Sequence, residues 1–357
     1  MNTLKFYILC TRNINALKRH FSYIPKEDVH VVINTQDTEF EQEARQYCEA
    51  ENITFSATTS DGTASTGKNS FLDIFEASDN DLAVLVDGDD FLTRHGVWTY
   101  KQIASMESPP DVLSLEYQYG MVAETGYNRV NVSIDPSLVY NPFVGCKDRN
   151  NPADILAAGF RCFLKPFQWW EQGMAGKLIK EREDDGFSAE LNADHTSWVN
   201  HCYKYINKWE THCRIVMFSK KAVKGFRFDP ALVVGEDTLL YFLYKHEHME
   251  GRLEMKYLFD RYPTYVYDMR IDGVVEESKD VGGKDRGWKE WLSTLVSSYD
   301  ELESQGKLHT ERLPELTVCA DSEAPDANTD ADITWPENYV PDIDYLVNYP
   351  GPRKVKF

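Results

Sequence analysis

The chain has little of what would place it in several common classes. Its seven cysteines are scattered and odd in number, and no two stand as CxxC. That fits a reducing cytosol, not a disulfide scaffold. Near its start it has only the short apolar run Phe6 to Cys10, too brief for a membrane span or the core of a signal peptide. A soluble, cytoplasmic protein with no membrane span is expected. Positive charge is scarce: 38 Lys and Arg stand against 58 Asp and Glu, a net charge of −20. A general nucleic-acid coat is excluded on that ground. There is no internal repeat, and no low-complexity tract before about residue 300.

What is present supports a real core. Of the 357 residues, 42% are hydrophobic and 13% aromatic, enough for one large α/β unit with an appendage. The charge is uneven. Residues 161–228 hold 12 Lys and Arg against 8 Asp and Glu, a local +4, whereas residues 300–357 hold 5 against 13, or −8. An acidic chain with a basic middle leaves room for an anionic acceptor there, although a solvated mixed-charge surface reads the same way.

Lys5–Cys10, Val29–Ile33, Ile53–Ala57, Leu82–Val86 and Val112–Tyr117 read as strands. Between them lie amphipathic helices, marked by Ile14/Leu17/Phe21/Ile24, by Phe40/Ala44/Tyr47/Cys48, by Asn69 to Ala77, and by Val97 to Met106. Strands alternating with helices at this spacing predict a doubly wound, mostly parallel sheet. Further on, Arg214–Ser219 and Tyr262–Met269 read as strands. Helices are expected after Gly235 and over Trp288–Leu302, and the tail from Glu311 reads as irregular.

The most informative stretch is Leu82-Ala83-Val84-Leu85-Val86-Asp87-Gly88-Asp89-Asp90. A buried strand runs straight into three carboxylates spaced around a glycine. In open α/β sheets, ligands bind outside that end of the strand. Gly88 lets the chain turn and bring Asp87 and Asp89 toward one point. Carboxylates that close call for a cation, and a hard divalent ion shared with a phosphate-bearing substrate is the natural one. A plain polar turn is the alternative. An EF-hand is excluded, because Trp98 stands where the twelfth-position Glu belongs.

Two more stretches carry chemistry. Gly62-Thr-Ala-Ser-Thr-Gly67-Lys68-Asn69 nearly matches a P-loop, but Asn69 replaces the hydroxyl that ligates magnesium. A P-loop-like phosphotransferase is therefore a minor alternative, and Lys68 is still placed to approach a diphosphate. Gly235-Glu236-Asp237 opens a helix, where carboxylates are favoured as caps and are also available as a base. His201-Cys202 and His212-Cys213 lack zinc-ligand spacing. Trp169, Trp170, Trp198 and Trp209 suit either a core or a stacking surface.

In this order the pieces resemble a family 2-type, nucleotide-sugar glycosyltransferase with the GT-A fold. They are Thr11-Arg12-Asn13, Gly67-Lys68-Asn69, Val84 to Asp90, Phe228-Asp229 and Gly235-Glu236-Asp237. The resemblance covers roughly residues 3–120 and 212–275. It implies that Asp89, with Asp87, holds Mn2+ or Mg2+ on the donor diphosphate. Asp87 would also meet the ribose, with Asp90 behind the two. Thr11 and Lys68 would line the nucleotide site. Asp237 would be the general base, Glu236 would orient the acceptor, and a single base opposite the leaving group implies inversion. The chain departs from the pattern after the second strand, where Asn34-Thr35-Gln36-Asp37 replaces an Asp-Asp-Gly-Ser type turn. It departs again after Tyr267, where Asp268 or Asp272 stands in place of a metal-binding His.

The expected architecture is thus α/β: a GT-A type doubly wound sheet with an irregular acceptor-side insertion and a C-terminal extension. Residues 1–120 form the nucleotide-sugar half, 121–275 the acceptor half, and 276–357 the extension. The expected partners are a nucleotide-sugar donor, a UDP-sugar first, and a carbohydrate acceptor. A hydroxymethylated base in phage DNA is the alternative acceptor. An inactive GT-A binding module is a further alternative.

Overall fold

The computed structural model describes residues 2–21, 24–92, 94–115, 214–232, 235–258, 264–268, 294 and 297–318, together with the backbone of 119–123 and 160–164. The first half contributes strands β1 (Leu4–Cys10), β2 (Val29–Thr35), β3 (Thr54–Thr59), β4 (Leu82–Asp87), β5 (Phe91–Leu92) and β6 (Val112–Leu115). After them come β7 (Tyr119–Ala123), β8 (Phe160–Leu164), β9 (Arg214–Ser219), β10 (Met255–Leu258), β11 (Tyr265–Asp268) and β12 (Glu315–Leu316). Eight of these form one sheet in the order β12-β10-β6-β9-β4-β1-β2-β3. Within it only β9 runs antiparallel to its neighbours, β4 and β6. The expected mostly parallel α/β sheet is present.

The burial pattern explains the layers. Side chains alternate across a strand. On β1, Tyr7 and Leu9 enter one apolar cluster while Phe6, Ile8 and Cys10 enter another. The first cluster is closed by α3 (Ala64–Ala77), α5 (Lys220–Val223) and α6 (Glu236–Met249). The second is closed by α1 (Ile14–His20), α2 (Thr38–Ala50) and α4 (Arg94–Ser105). Both faces are covered, so the strands read as continuous apolar runs instead of alternating ones.

Some expectations need correction. Helix α3 starts at Ala64, five residues before the expected Asn69. Thr63 is its N-cap and accepts a hydrogen bond from the Thr66 amide, and the Asp61 carboxylate accepts from the Thr63 amide at 2.9 Å and from the Thr66 hydroxyl at 2.6 Å. The Ser/Thr residues that suggested a loop are the cap and first turn of a helix. The P-loop alternative therefore loses its phosphate cradle, since Ala64-Ser65-Thr66, which would form the loop, are helical. In the tail expected to be irregular, Glu315–Leu316 form β12, which pairs in parallel with β10; residues 319–357 lie outside the described residues. A second sheet, β5-β11-β7-β8, had no counterpart in the sequence reading. Of the helix expected over Trp288–Leu302, the described part is residue 294 and residues 297–304. Among the described residues, no helix is long and apolar enough to cross a membrane.

Candidate active site

The sheet order fixes where a ligand fits. The chain runs from β1 to β2 and β3 on one side, then returns to place β4 on the other side of β1. The crevice beyond the carboxyl ends of β1 and β4 is a topological switch point, the usual ligand position in such sheets. A small, partly open recess lies there, lined by Cys10, Thr11, Arg12, Asn13, Gly88 and Asp89. Thr11 and Asp89, named from sequence alone, thus share one recess.

Gly88 is required there, for a reason other than the sharp turn expected of it. It has no left-handed backbone. The turn instead presses so close to β1 that a Cβ would stand 2.5 Å from the Leu9 carbonyl oxygen. Carboxylate oxygens of Asp87, Asp89 and Asp90 lie within 4.8 Å of one another. The turn is stapled by a hydrogen bond from the Asp90 amide to the Asp87 carbonyl, 3.0 Å.

Arg214 answers this charge. In the antiparallel pairing of β4 with β9, Leu82 faces Ser219 and Val84 faces Met217. Carried three residues on, the same register puts Arg214 opposite Asp87. Its guanidinium contacts Asp87 and reaches Asp90 at 3.1 Å, and it lies over the Tyr265 ring at 4.4 Å from the centroid. The Tyr265 hydroxyl donates to Asp90 at 2.6 Å and accepts from the Asp87 amide at 3.2 Å. Burial pushes the Asp90 carboxyl well above the usual range despite Arg214, with Asp89 and Asp87 adding to the rise. Burial also opposes charge on Asp87, but Arg214 and then Lys68 outweigh it and hold that carboxyl below the usual range.

The donor set fits a hard divalent ion. It consists of oxygens only, and Asp87 Oδ1 is buried with no hydrogen-bond partner among the described residues. Asp87 and Asp89 are the residues that would hold the ion. Asp268 ends β11, and Asp272 lies outside the described residues.

The second acidic pair opens α6, whose N-cap Gly235 takes a left-handed backbone, φ 81°. Glu236 is buried and paired with the buried Lys68 at 2.7 Å; Lys68 also lies 5.4 Å from the Phe228 ring centroid. Burial disfavours charge on Lys68, but Glu236 first, then Asp87 and Asp237, keep its pKa above the usual value. Burial raises the Glu236 carboxyl, Lys68 opposing and Asp237 adding. Lys68 therefore feels the charge of both acidic clusters. Asp237 is half-buried, and its Oδ1 accepts from the Thr238 amide at 2.9 Å.

Helix α3 holds this second cluster in place. Ser65 donates to the Leu232 carbonyl at 2.7 Å. The Asn69 amide donates to the Phe228 carbonyl and accepts from the Phe228 amide, both at 2.8 Å. The residue that spoils the P-loop pattern is thus the clasp between α3 and the segment entering α6. At the end of β2, Asp37 is the N-cap of α2 and accepts from the Glu39 and Phe40 amides at 3.0 and 3.1 Å.

Arg214 and Tyr265 are the residues that sequence reasoning missed. One signal was available for Arg214: a charge heading an otherwise apolar buried strand demands a partner. It was instead counted into a basic middle. Among the described residues of that stretch, Lys221 pairs with Asp111, Arg227 with Asp73 and Glu76, and Lys220 with two backbone carbonyls. Lys221 and Lys224 are nonetheless exposed, and most of the stretch lies outside the described residues. The expected Trp and His-Cys features lie outside the described residues.

No known protein family matches the chain, and no curated protein matches it. It is similar to solved structures at low identity. S. aureus TarS 1–349 in complex with UDP is 13% identical, over 84% of this chain and 72% of that one, with a TM-score of 0.38. The same protein in complex with UDP-GlcNAc is 12% identical, over 85% and 78%, with a TM-score of 0.40. The glycosyltransferase GlyE of Streptococcus pneumoniae TIGR4 is 11% identical, over 86% and 65%, with a TM-score of 0.22. Likeness this distant speaks to neither substrate nor chemistry.

Proposed function

We propose that the chain is a metal-assisted glycosyltransferase that moves a sugar from a nucleotide-sugar donor, a UDP-sugar first, to an acceptor hydroxyl on a carbohydrate. The observation that carries this reading is the acidic turn at the switch-point recess, where carboxylate oxygens of Asp87, Asp89 and Asp90 lie within 4.8 Å of one another. The donor diphosphate belongs beside Asp87 and Asp89, with the nucleoside against Thr11. A bound divalent cation supplies Lewis-acid charge to the leaving diphosphate. Asp237 is the better base of the acidic pair. It is half-exposed, whereas Glu236 is buried and committed to Lys68. Its carboxylate takes the acceptor hydroxyl proton as the new bond forms. One base facing the sugar from the side opposite the diphosphate makes the displacement in-line, with inversion. Lys68 fixes Glu236 and so fixes the first turn of α6, which aims Asp237.

The test is a thermal-shift panel of UDP-, GDP-, dTDP- and CMP-sugars with Mn2+ or with EDTA. One nucleotide class should stabilise the protein in Mn2+ and lose most of that effect in EDTA. No shift from any donor in either condition overturns the reading. Hydrolysis of the stabilising donor by the wild-type protein separates an enzyme from an inactive binding module.

A further inference from the structure

The acidic turn already contains a cation. Arg214 is 8% exposed, spans Asp87 and Asp90, and is stacked on Tyr265, whose hydroxyl is itself fixed to Asp90 and to the Asp87 amide. Its backbone is held in β9, opposite Leu115 of β6. Yet the guanidinium is not saturated: its Nε is buried with no acceptor among the described residues. Asp87 Oδ1 is likewise buried without a donor. A guanidinium presents its donors as a planar fork to carboxylate oxygens, and its charge repels a second cation placed beside it.

We propose that Arg214 is the resident counter-ion of the turn, a positioning residue that keeps Asp87 and Asp89 weak for a divalent ion until a diphosphate brings further oxygen ligands. The proposal rests on the reading that these two carboxylates hold the ion. It needs no sugar nucleotide for its test, so failure to find a donor leaves it standing or falling on its own. Metal binding is thereby coupled to donor binding, because Arg214 cancels part of the field that would capture the ion alone.

The experiment titrates Mn2+ alone into wild type, Arg214→Gln and Arg214→Lys, read by calorimetry or by the Mn2+ paramagnetic signal. Arg214→Gln should bind Mn2+ about tenfold tighter or more, since a unit charge within a few ångströms is removed. Arg214→Lys keeps one charge but cannot span both carboxylates, and should fall between the two. Damage to the fold alone would weaken Mn2+ binding, so a gain marks the counter-ion role. Equal or weaker affinity in a folded Arg214→Gln overturns the proposal. Should that variant not fold, Arg214→Lys decides by the same criterion. Adding Asp89→Ala to Arg214→Lys should abolish the gain; a gain that persists puts the ion elsewhere and overturns the proposal as well.

Discussion

The two acidic clusters differ in how their charge is answered. At the end of β4 one guanidinium bridges two of the three carboxylates, Asp87 and Asp90, and an oxygen of Asp87 has no hydrogen-bond partner among the described residues. At the start of α6 the pairing is one to one, Lys68 with Glu236, and the neighbouring Asp237 is left half-exposed. The first arrangement suits holding something positive. The second suits fixing one carboxylate so that the next can react. On the proposed function, similar residue types, placed on a strand end and on a helix start, are divided between binding and chemistry.

The sharpest way to break this contrast is Asp237→Asn. Donor binding by calorimetry should be unchanged while transfer falls about 10²–10⁴-fold, the usual worth of a general base. Near-normal turnover would remove Asp237 from the chemistry and erase the division. Next in size is the buried pair. Lys68→Met or Glu236→Gln leaves an unmatched buried group and should cost about 3–5 kcal/mol by denaturant unfolding. The double variant Lys68→Met/Glu236→Leu should cost less than either single change, because a packed apolar pair replaces the ions. Additive losses would mean that the two residues do not act as a pair.

The smallest effect sharpens the picture away from the site. His30 stacks on Tyr7 and bonds Ser56 at 2.9 Å; burial first, then Lys5, lowers its pKa from 6.5 to about 4. Below about 6.5 the unfolded chain gains a proton that the folded one refuses. Stability should therefore be level above that pH and fall as pH drops toward about 4. A His30→Gln variant should flatten that limb in melting curves; an unchanged limb would assign it to other groups.

Much of the fold was legible because a doubly covered parallel sheet writes itself as apolar runs. β1, β4 and β9 were read to within a residue at either end for that reason. The start of α3 was misread because Thr63 and Ser65 look alike in loops and in first turns, and only their partners distinguish the two. β5 and β12, two residues each, are too short to have a period. In the site, Thr11, Asp87, Asp89, Glu236 and Asp237 were visible because carboxylates and hydroxyls at element ends are conspicuous. Arg214 and Tyr265 were not, since their meaning comes from pairing with residues 127 and 178 positions away, Asp87 in each case.

Asn69 has a consequence for motion. Its side chain meets both polar groups of the Phe228 backbone, as a neighbouring strand residue would. Whatever opens to admit a substrate must then hinge somewhere other than here, because parting α3 from that segment would strand two peptide groups at once. With Ser65 tied to Leu232 as well, α3 and the chain entering α6 travel together.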